Sequence, residues 1–292
     1  MKYANYIFSS LLLLFVPIYG ILIAVGTAII LDTFTGIFKS VKLNGWKSVR
    51  SKSLSQIVSK MLFLIPAYLS EESPIDYFAP SIKEYILRTD YFFVENEKTA
   101  RKVIKFFAPE KKQSDLKLFL LDKYSESNDL KEAQKLMKSG QDFGLLSEAG
   151  LPCIADPGNL MVKWCHENNI KVIPINGPSS IILALISSGF NGQEFTFHGY
   201  LPIDKEQKKK QILSLENQVQ KSGYSQIFME TPYRNNQLLE DLIKFLNPNT
   251  KLCIAANINH PTEEFIKTLK ISDWKNKKPE LHKIPAVFVL GK

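Results

Sequence analysis

From Met61 to Ile175, short apolar runs alternate with stretches in which apolar residues recur every three or four positions. The runs Leu62–Ile65, Tyr91–Val94, Leu116–Leu121, Phe143–Leu146 and Val172–Ile175 are rich in aromatic and branched side chains, which predicts buried strands. Helical spacing falls between them, around Ser81–Leu87, Ala100–Phe106, Asp129–Lys138 and Asn159–Glu167. Alternation of this kind implies right-handed βαβ units and a parallel sheet.

The rhythm changes after Asn176. Gly177-Pro178-Ser179-Ser180 is a helix-start signal, followed by IILALIS and a terminating Gly189. Strands are expected at Phe195–Tyr200, Gln226–Glu230, Lys251–Ala256, Phe265–Lys270 and Ala286–Leu290. Gln237–Leu246 puts Leu238, Leu239, Leu242, Ile243 and Leu246 on one helical face, and Lys205–Val219 reads as a more polar helix. The closer strand spacing predicts a second, mixed sheet. The fold class is therefore α/β in two domains, residues 61–176 around a parallel sheet and residues 177–292 around a mixed one.

The first sixty residues follow a different pattern. Tyr6 to Leu31 carries no charge, and about 20 apolar residues suffice for a helix to cross a bilayer. One transmembrane helix is expected there, kinked near Pro17, and the run is too long for a signal peptide. Every charge from Lys39 to Lys60 is basic, which puts that side in the cytoplasm. The segment LDTFTGIFK resembles bacteriophage-holin-like membrane proteins. Lys60-Met61 reads as a seam without a Gly/Ser/Pro linker. Residues 1–60 are expected to be a fused or mis-joined fragment and residues 61–292 a protein in their own right.

Charge changes the picture in one respect. The net charge is +8, but residues 1–60 hold seven basic residues against Asp32 alone. The body is thus nearly balanced, and its composition gives no argument for a nucleic-acid surface. Cys153, Cys165 and Cys253 are odd in number and lack CxxC spacing, while His166, His198, His260 and His282 form no HxxxH or HExxH. These patterns argue against a zinc site and a disulfide framework and fit a reducing compartment.

Candidate chemistry concentrates in Ser147–Gly158, SEAGLPCIADPG, directly after an expected strand. Gly and Pro at this density force a tightly turned backbone. Small side chains admit a ligand close to the main chain at a strand's carboxyl end. The same pattern also suits an ordinary strand-to-helix connector. Walker, GxGxxG and GxSxG motifs are missing from the sequence. Other polar or small-residue turns fall at Pro66, Glu95-Asn96, Gly177–Ser180 and Glu230–Arg234.

SEAGLPCIADPG, VIPINGPSS, FHGYLPIDK and METPYRNNQLLEDL, in that order, resemble the tetrapyrrole-methylase superfamily. Within it they are similar to the bacterial branch that methylates ribose 2′-oxygens of small-subunit ribosomal RNA. The resemblance runs from Met61 to the end. It implies a cytoplasmic homodimer that binds S-adenosyl-L-methionine between two domains and takes RNA as substrate. By motif match the cofactor pocket would hold Pro66, then Ser147, Glu148, Ala149, Gly150, Pro152, Ile154, Ala155, Asp156 and Gly158. It would also hold Gly177, Pro178, Ser179, Glu230, Pro232 and Arg234. No metal is implied.

Two loops depart from the family pattern: AYLSEES stands where T-P-I-G-N is usual, and VENEKT where A-E-D-T-R is usual. Both belong to the acceptor side, which leaves a tetrapyrrole or other small molecule open as the alternative acceptor. Glu95 and Lys98 are the catalytic candidates there, with Glu95 as an acceptor for helix N–H groups the duller reading. Arg234 either meets substrate or pairs with Glu230. Lys208-Lys209-Lys210 either touches phosphate or lies on a solvated face, and Cys153 reads as a small filler. A holin-like membrane protein with a non-catalytic body is the reading from a different class.

Overall fold

The computed structural model describes residues 60–121 and 128–292. The expected membrane helix, its basic tail and the holin-like element lie outside them. Among the described residues no helix is long and apolar enough to cross a membrane.

Residues 61–137 and 141–292 form one compact unit. Its chain order is β1 (Met61–Ile65), α1 (Ser81–Arg88), β2 (Tyr91–Val94), α2 (Glu97–Phe107), β3 (Lys117–Leu120), α3 (Asn128–Lys138), β4 (Phe143–Leu146), α4 (Asn159–Glu167), β5 (Lys171–Pro174) and α5 (Ser180–Ser188). There follow β6 (Phe195–Tyr200), α6 (Lys205–Ser222), β7 (Ser225–Met229), α7 (Asn235–Phe245), β8 (Lys251–Ala256), β9 (Phe265–Lys270), α8 (Ile271–Trp274) and β10 (Ala286–Gly291).

The first sheet has the order β3-β2-β4-β1-β5, and every pairing in it is parallel. Successive side chains of a strand point to opposite faces, and both faces here are apolar. Phe63, Ile65, Phe92 and Val94 pack with Ile82 and Ile86 of α1 and Val103, Ile104 and Phe107 of α2. Leu62, Phe93, Phe143 and Leu145 pack on the other side with Ala133 and Met137 of α3 and Met161 and Cys165 of α4. Burial on both faces is why these strands read as continuous apolar runs.

The second sheet has the order β6-β7-β10-β8-β9. β6 pairs β7 in parallel and the other pairings are antiparallel, so the sheet is mixed as expected. One face is closed by α6 and α7: Phe228, Leu252, Ile254 and Phe288 meet Ile212, Leu215, Leu238 and Leu242. Phe228 is fully buried there, and truncating such a ring to alanine costs about 3–5 kcal/mol. The other face carries Ile227, Ala255, Val287 and Val289 and receives Ile181, Ala184 and Leu185 of α5.

Most differences from expectation lie at element ends, and the four-residue α8 was not expected. β5 pairs from Lys171 to Pro174 rather than from Val172 to Ile175, because an edge strand tolerates an exposed lysine that breaks the apolar pattern. β3 stops at Leu120 because its only partner among the described residues, β2, ends at Val94. α2 starts three residues early, with Asn96 Oδ1 accepting from Thr99 N at 3.1 Å as its cap. Asp204 caps α6 in the same way. The run of three lysines is split: buried Lys208 pairs with Asp241 of α7 at 3.1 Å, and Lys209 lies over the Phe245 ring.

Candidate functional site

β2 connects to β3 on one side of the sheet order and β4 to β5 on the other, so the chain leaves these adjacent strands in opposite directions. Such a divergence opens a crevice at the strands' carboxyl ends. A cleft of about 440 Å³ lies there, lined by Glu95 after β2 and by Ser147–Leu151 and Ile154–Asp156 after β4. Its opposite wall comes from the second sheet: Tyr200, Met229, Glu230, Pro232, Ala255 and Pro285–Val287. Leu69, Ser179–Ile181 and Ile258 complete it. The volume suits a ligand of nucleoside size.

The β4 loop is held in a strained shape. Gly150, Cys153 and Ala155 have φ of +70°, +70° and +64°, and the last two are side chains that rarely adopt it. Strain of this kind persists only where the surroundings over-determine it. Here Asp156 Oδ1 accepts from Cys153 N at 2.7 Å and Gly158 N at 3.0 Å, and Gly150 O accepts from Ala67 N at 2.8 Å. The loop is thereby tied to itself and to the end of β1. Burial pushes the Asp156 carboxyl up, against the two backbone hydrogen bonds that lower it. The Cys153 thiol is pushed up to about 11 by burial and by Asp156, as suits a filler rather than a nucleophile.

Glu230 is buried at the end of β7. Its Oε1 accepts from Thr231 N at 2.7 Å and from Arg234 Nε and Nη2 at 3.0 and 2.6 Å. The other carboxylate oxygen, Oε2, is buried without a hydrogen-bond partner, and so is Asp156 Oδ2. Asp156 and Glu230, both cleft-lining residues, thus each keep one buried acceptor without a partner, a costly state.

Of the residues expected in the pocket, Ser147, Glu148, Ala149, Gly150, Ile154, Ala155, Asp156, Ser179, Glu230 and Pro232 line the cleft, as does Glu95. Pro66, Pro152, Gly158, Gly177, Pro178, Arg234 and Lys98 do not. Pro66 packs against Gly177 so tightly that a Cβ there would sit 2.2 Å from the proline ring. Pro152 and Gly158 are buried, and a Cβ on Gly158 would lie 3.0 Å from Cys153 Sγ and Leu145. Gly177 and Pro178 border a separate open groove with Tyr77 and Asn259. Arg234 acts through its ion pair with Glu230. Lys98 is exposed on the first turn of α2. Lys98 apart, these residues shape the lining loops rather than form the wall.

Sequence reasoning missed the apolar floor from β7, β8 and β10. Those residues sit in ordinary strand patterns, and only the antiparallel return of β10 beside β7 brings Pro285–Val287 level with Met229 and Glu230. Among the described residues no cluster of His, Cys, Asp or Glu could hold a metal ion.

The tetrapyrrole (corrin/porphyrin) methylases match residues 76–271, well over half of the chain. The chain belongs to the tetrapyrrole methylase family. A Vibrio cholerae protein named ribosomal RNA small subunit methyltransferase I is 27% identical over 203 residues, which are 70% of this chain and 66% of that protein. The protein of the same name from Synechocystis is 37% identical over 145 residues, 49% of this chain and 50% of its own length. The chain therefore spans about half to two thirds of these relatives. The crystal structure of the methyltransferase CobJ aligns with a TM-score of 0.52 at 14% identity, covering 80% of this chain and 93% of the other. That of cobalt precorrin-4 methyltransferase aligns with a TM-score of 0.52 at 11% identity, covering 80% and 95%. The α/β two-sheet fold is thus that of tetrapyrrole methyltransferases.

Proposed function

We propose that this tetrapyrrole methylase transfers a methyl group from S-adenosyl-L-methionine to a ribose 2′-oxygen of small-subunit ribosomal RNA. The observation that carries the reading is the cleft behind β2 and β4, lined by Asp156 and Glu230, each with one carboxylate oxygen buried without a partner. When bound there, the cofactor supplies a methyl group on a positively charged sulfur, already activated for displacement. Asp156 would favour a bound cation, whereas Glu230 shares its charge with Arg234, and the amide and carbonyl groups of Ser147–Asp156 would serve polar ring and carboxylate groups. Ser179 and Ser180 add hydroxyl and backbone donors at the start of α5. Most of the acceleration then comes from alignment in a closed site. A ribose hydroxyl is a weak nucleophile, and Glu95 is the cleft carboxylate that takes its proton.

The RNA acceptor is supported by the names of the relatives. RNA from a strain lacking the protein, mapped for 2′-O-methyl groups, is expected to lose one modification in the small-subunit RNA. An unchanged map refutes that acceptor and favours the second reading, a tetrapyrrole or similar small molecule, which the corrin-enzyme fold supports.

The same reading divides the body into domains at 61–176 and 177–292, makes it a homodimer and places it in the cytoplasm. With residues 1–60 retained, their apolar run would hold it at the cytoplasmic face of a membrane. The intact mass of the native protein distinguishes a start at Met1 from one at Met61, and sedimentation equilibrium reads the dimer.

A further inference from the structure

Tyr200 carries the only aromatic ring among the described cleft-lining residues, and the backbone is bent to bring it there. Along β6 and β7, Phe195 pairs with Ser225, Thr196 with Gln226 and Phe197 with Ile227; the next pair is Tyr200 with Met229. Three residues advance on one strand while two advance on the other. This is a β-bulge, which re-aims the side chains that follow it. Gly199, at φ +65°, supplies the conformation.

The consequence is a change of face. In an unbroken strand Tyr200 would share the face of Thr196 and His198, and His198 instead bonds Gln226 Oε1 at 2.7 Å. The extra residue moves Tyr200 to the side of Phe197 and Met229, which is the side packed with α5 and open to the cleft. The ring stays 56% exposed, so it stands at the mouth rather than in the depth. The segments that carry cleft-lining Pro232 and Pro285 are joined by Lys283 N donating to Pro232 O. They hold a second exposed ring, Tyr233, edge-on to His282 at 5.9 Å.

We propose that Tyr200 is the stacking platform for a base of the RNA acceptor. A ring held half in solvent at the lip leaves a face for a flat partner arriving from outside. An acceptor too large to enter the cleft must present its reacting nucleotide across that lip. Stacking on aromatics is how single-stranded nucleic acid is gripped without base-specific hydrogen bonds. The proposal rests on the RNA-methyltransferase reading and adds to it the residue that positions the substrate.

The test uses the full chain and fluorescein-labelled single-stranded fragments tiling small-subunit ribosomal RNA, read by anisotropy. A parallel calorimetric titration with S-adenosyl-L-methionine reads the cofactor. Tyr200→Ala is expected to weaken the tightest fragment roughly ten- to a hundred-fold, Tyr200→Phe to keep wild-type affinity, and Tyr200→Leu to resemble alanine. Because the ring stands at the mouth, cofactor affinity should fall far less than RNA affinity in all three. RNA binding by Tyr200→Ala at wild-type strength overturns the proposal. So does a leucine variant as good as phenylalanine, or a loss of cofactor affinity as large as that of RNA affinity. A wild-type chain that binds no fragment instead overturns the RNA reading itself, and the proposal with it.

Discussion

Replacing Gly150 by alanine tests whether the β4 loop is built around its backbone. Gly150 has φ +70°, and a Cβ there would meet Leu69 Cδ2 and the backbone oxygen of Pro178, both at 3.2 Å. A left-handed residue with a side chain costs about 1–2 kcal/mol, offset by roughly 0.4–1 kcal/mol because alanine loses less freedom on folding. The crowding adds about 1–3 kcal/mol, since the Pro178 oxygen belongs to backbone and yields little. Gly223→Ala is the internal control: its φ is +76°, but nothing lies within 4 Å of the added carbon. The two variants share the backbone term and differ in the crowding. At about 2–4 °C per kcal/mol, Gly150→Ala should melt roughly 2–12 °C below Gly223→Ala in a calorimetric scan. Because Gly150 O also receives Ala67 N and Ser147 Oγ, the shift disturbs the cleft wall. Cofactor affinity should fall about tenfold or more in Gly150→Ala and stay unchanged in Gly223→Ala. Equal melting temperatures together with equal affinities would refute the reasoning.

Further outcomes follow from charges the fold has buried. The raised pKa of Asp156 means that a bound cation, which favours the ionised form, should bind more tightly as pH climbs through that pKa; Asp156→Asn should bind weakly and flatly in a titration series. The same shift has the opposite effect on folding: stability of the ligand-free protein declines as pH rises from the unfolded-state pKa to the raised folded one. Asp156→Asn should thus be at least as stable as wild type at neutral pH by urea unfolding. Asp241→Ala leaves the ammonium of Lys208 buried without its partner, the two side chains being 18% and 8% exposed. It should cost about 3–5 kcal/mol, most of it recovered by adding Lys208→Met. By contrast, removing exposed Glu167, paired with Lys163 across solvent, should change the unfolding free energy by less than about 0.5 kcal/mol.

The elements were legible because both sheets have apolar faces that leave a period in the sequence. Buried β4 and the leucine face of α7 were plain, whereas β5 was displaced by one residue because its edge position admits Lys171. Topology was legible only in outline: alternation predicted a parallel sheet, but nothing local says that β1 lies between β4 and β5. The β4 loop announced itself through Gly and Pro, and Glu230 through its place in METPYR. What stayed hidden depends on tertiary contact. Gly177 and Pro66 hold each other rather than face the cleft, Arg234 serves Glu230, and Tyr200 looks like an ordinary alternating strand residue until the bulge turns it over.

Calorimetric titration of the protein with S-adenosyl-L-methionine, wild type beside Asp156→Ala, tests the central claim most directly. Wild type is expected to show one saturable site per chain and the variant an affinity at least about tenfold weaker, since the Asp156 carboxylate, whose Oδ2 has no partner, would no longer favour the cation. No heat from wild type at cofactor concentrations near the millimolar range would contradict it, and so would a variant that binds as tightly as wild type.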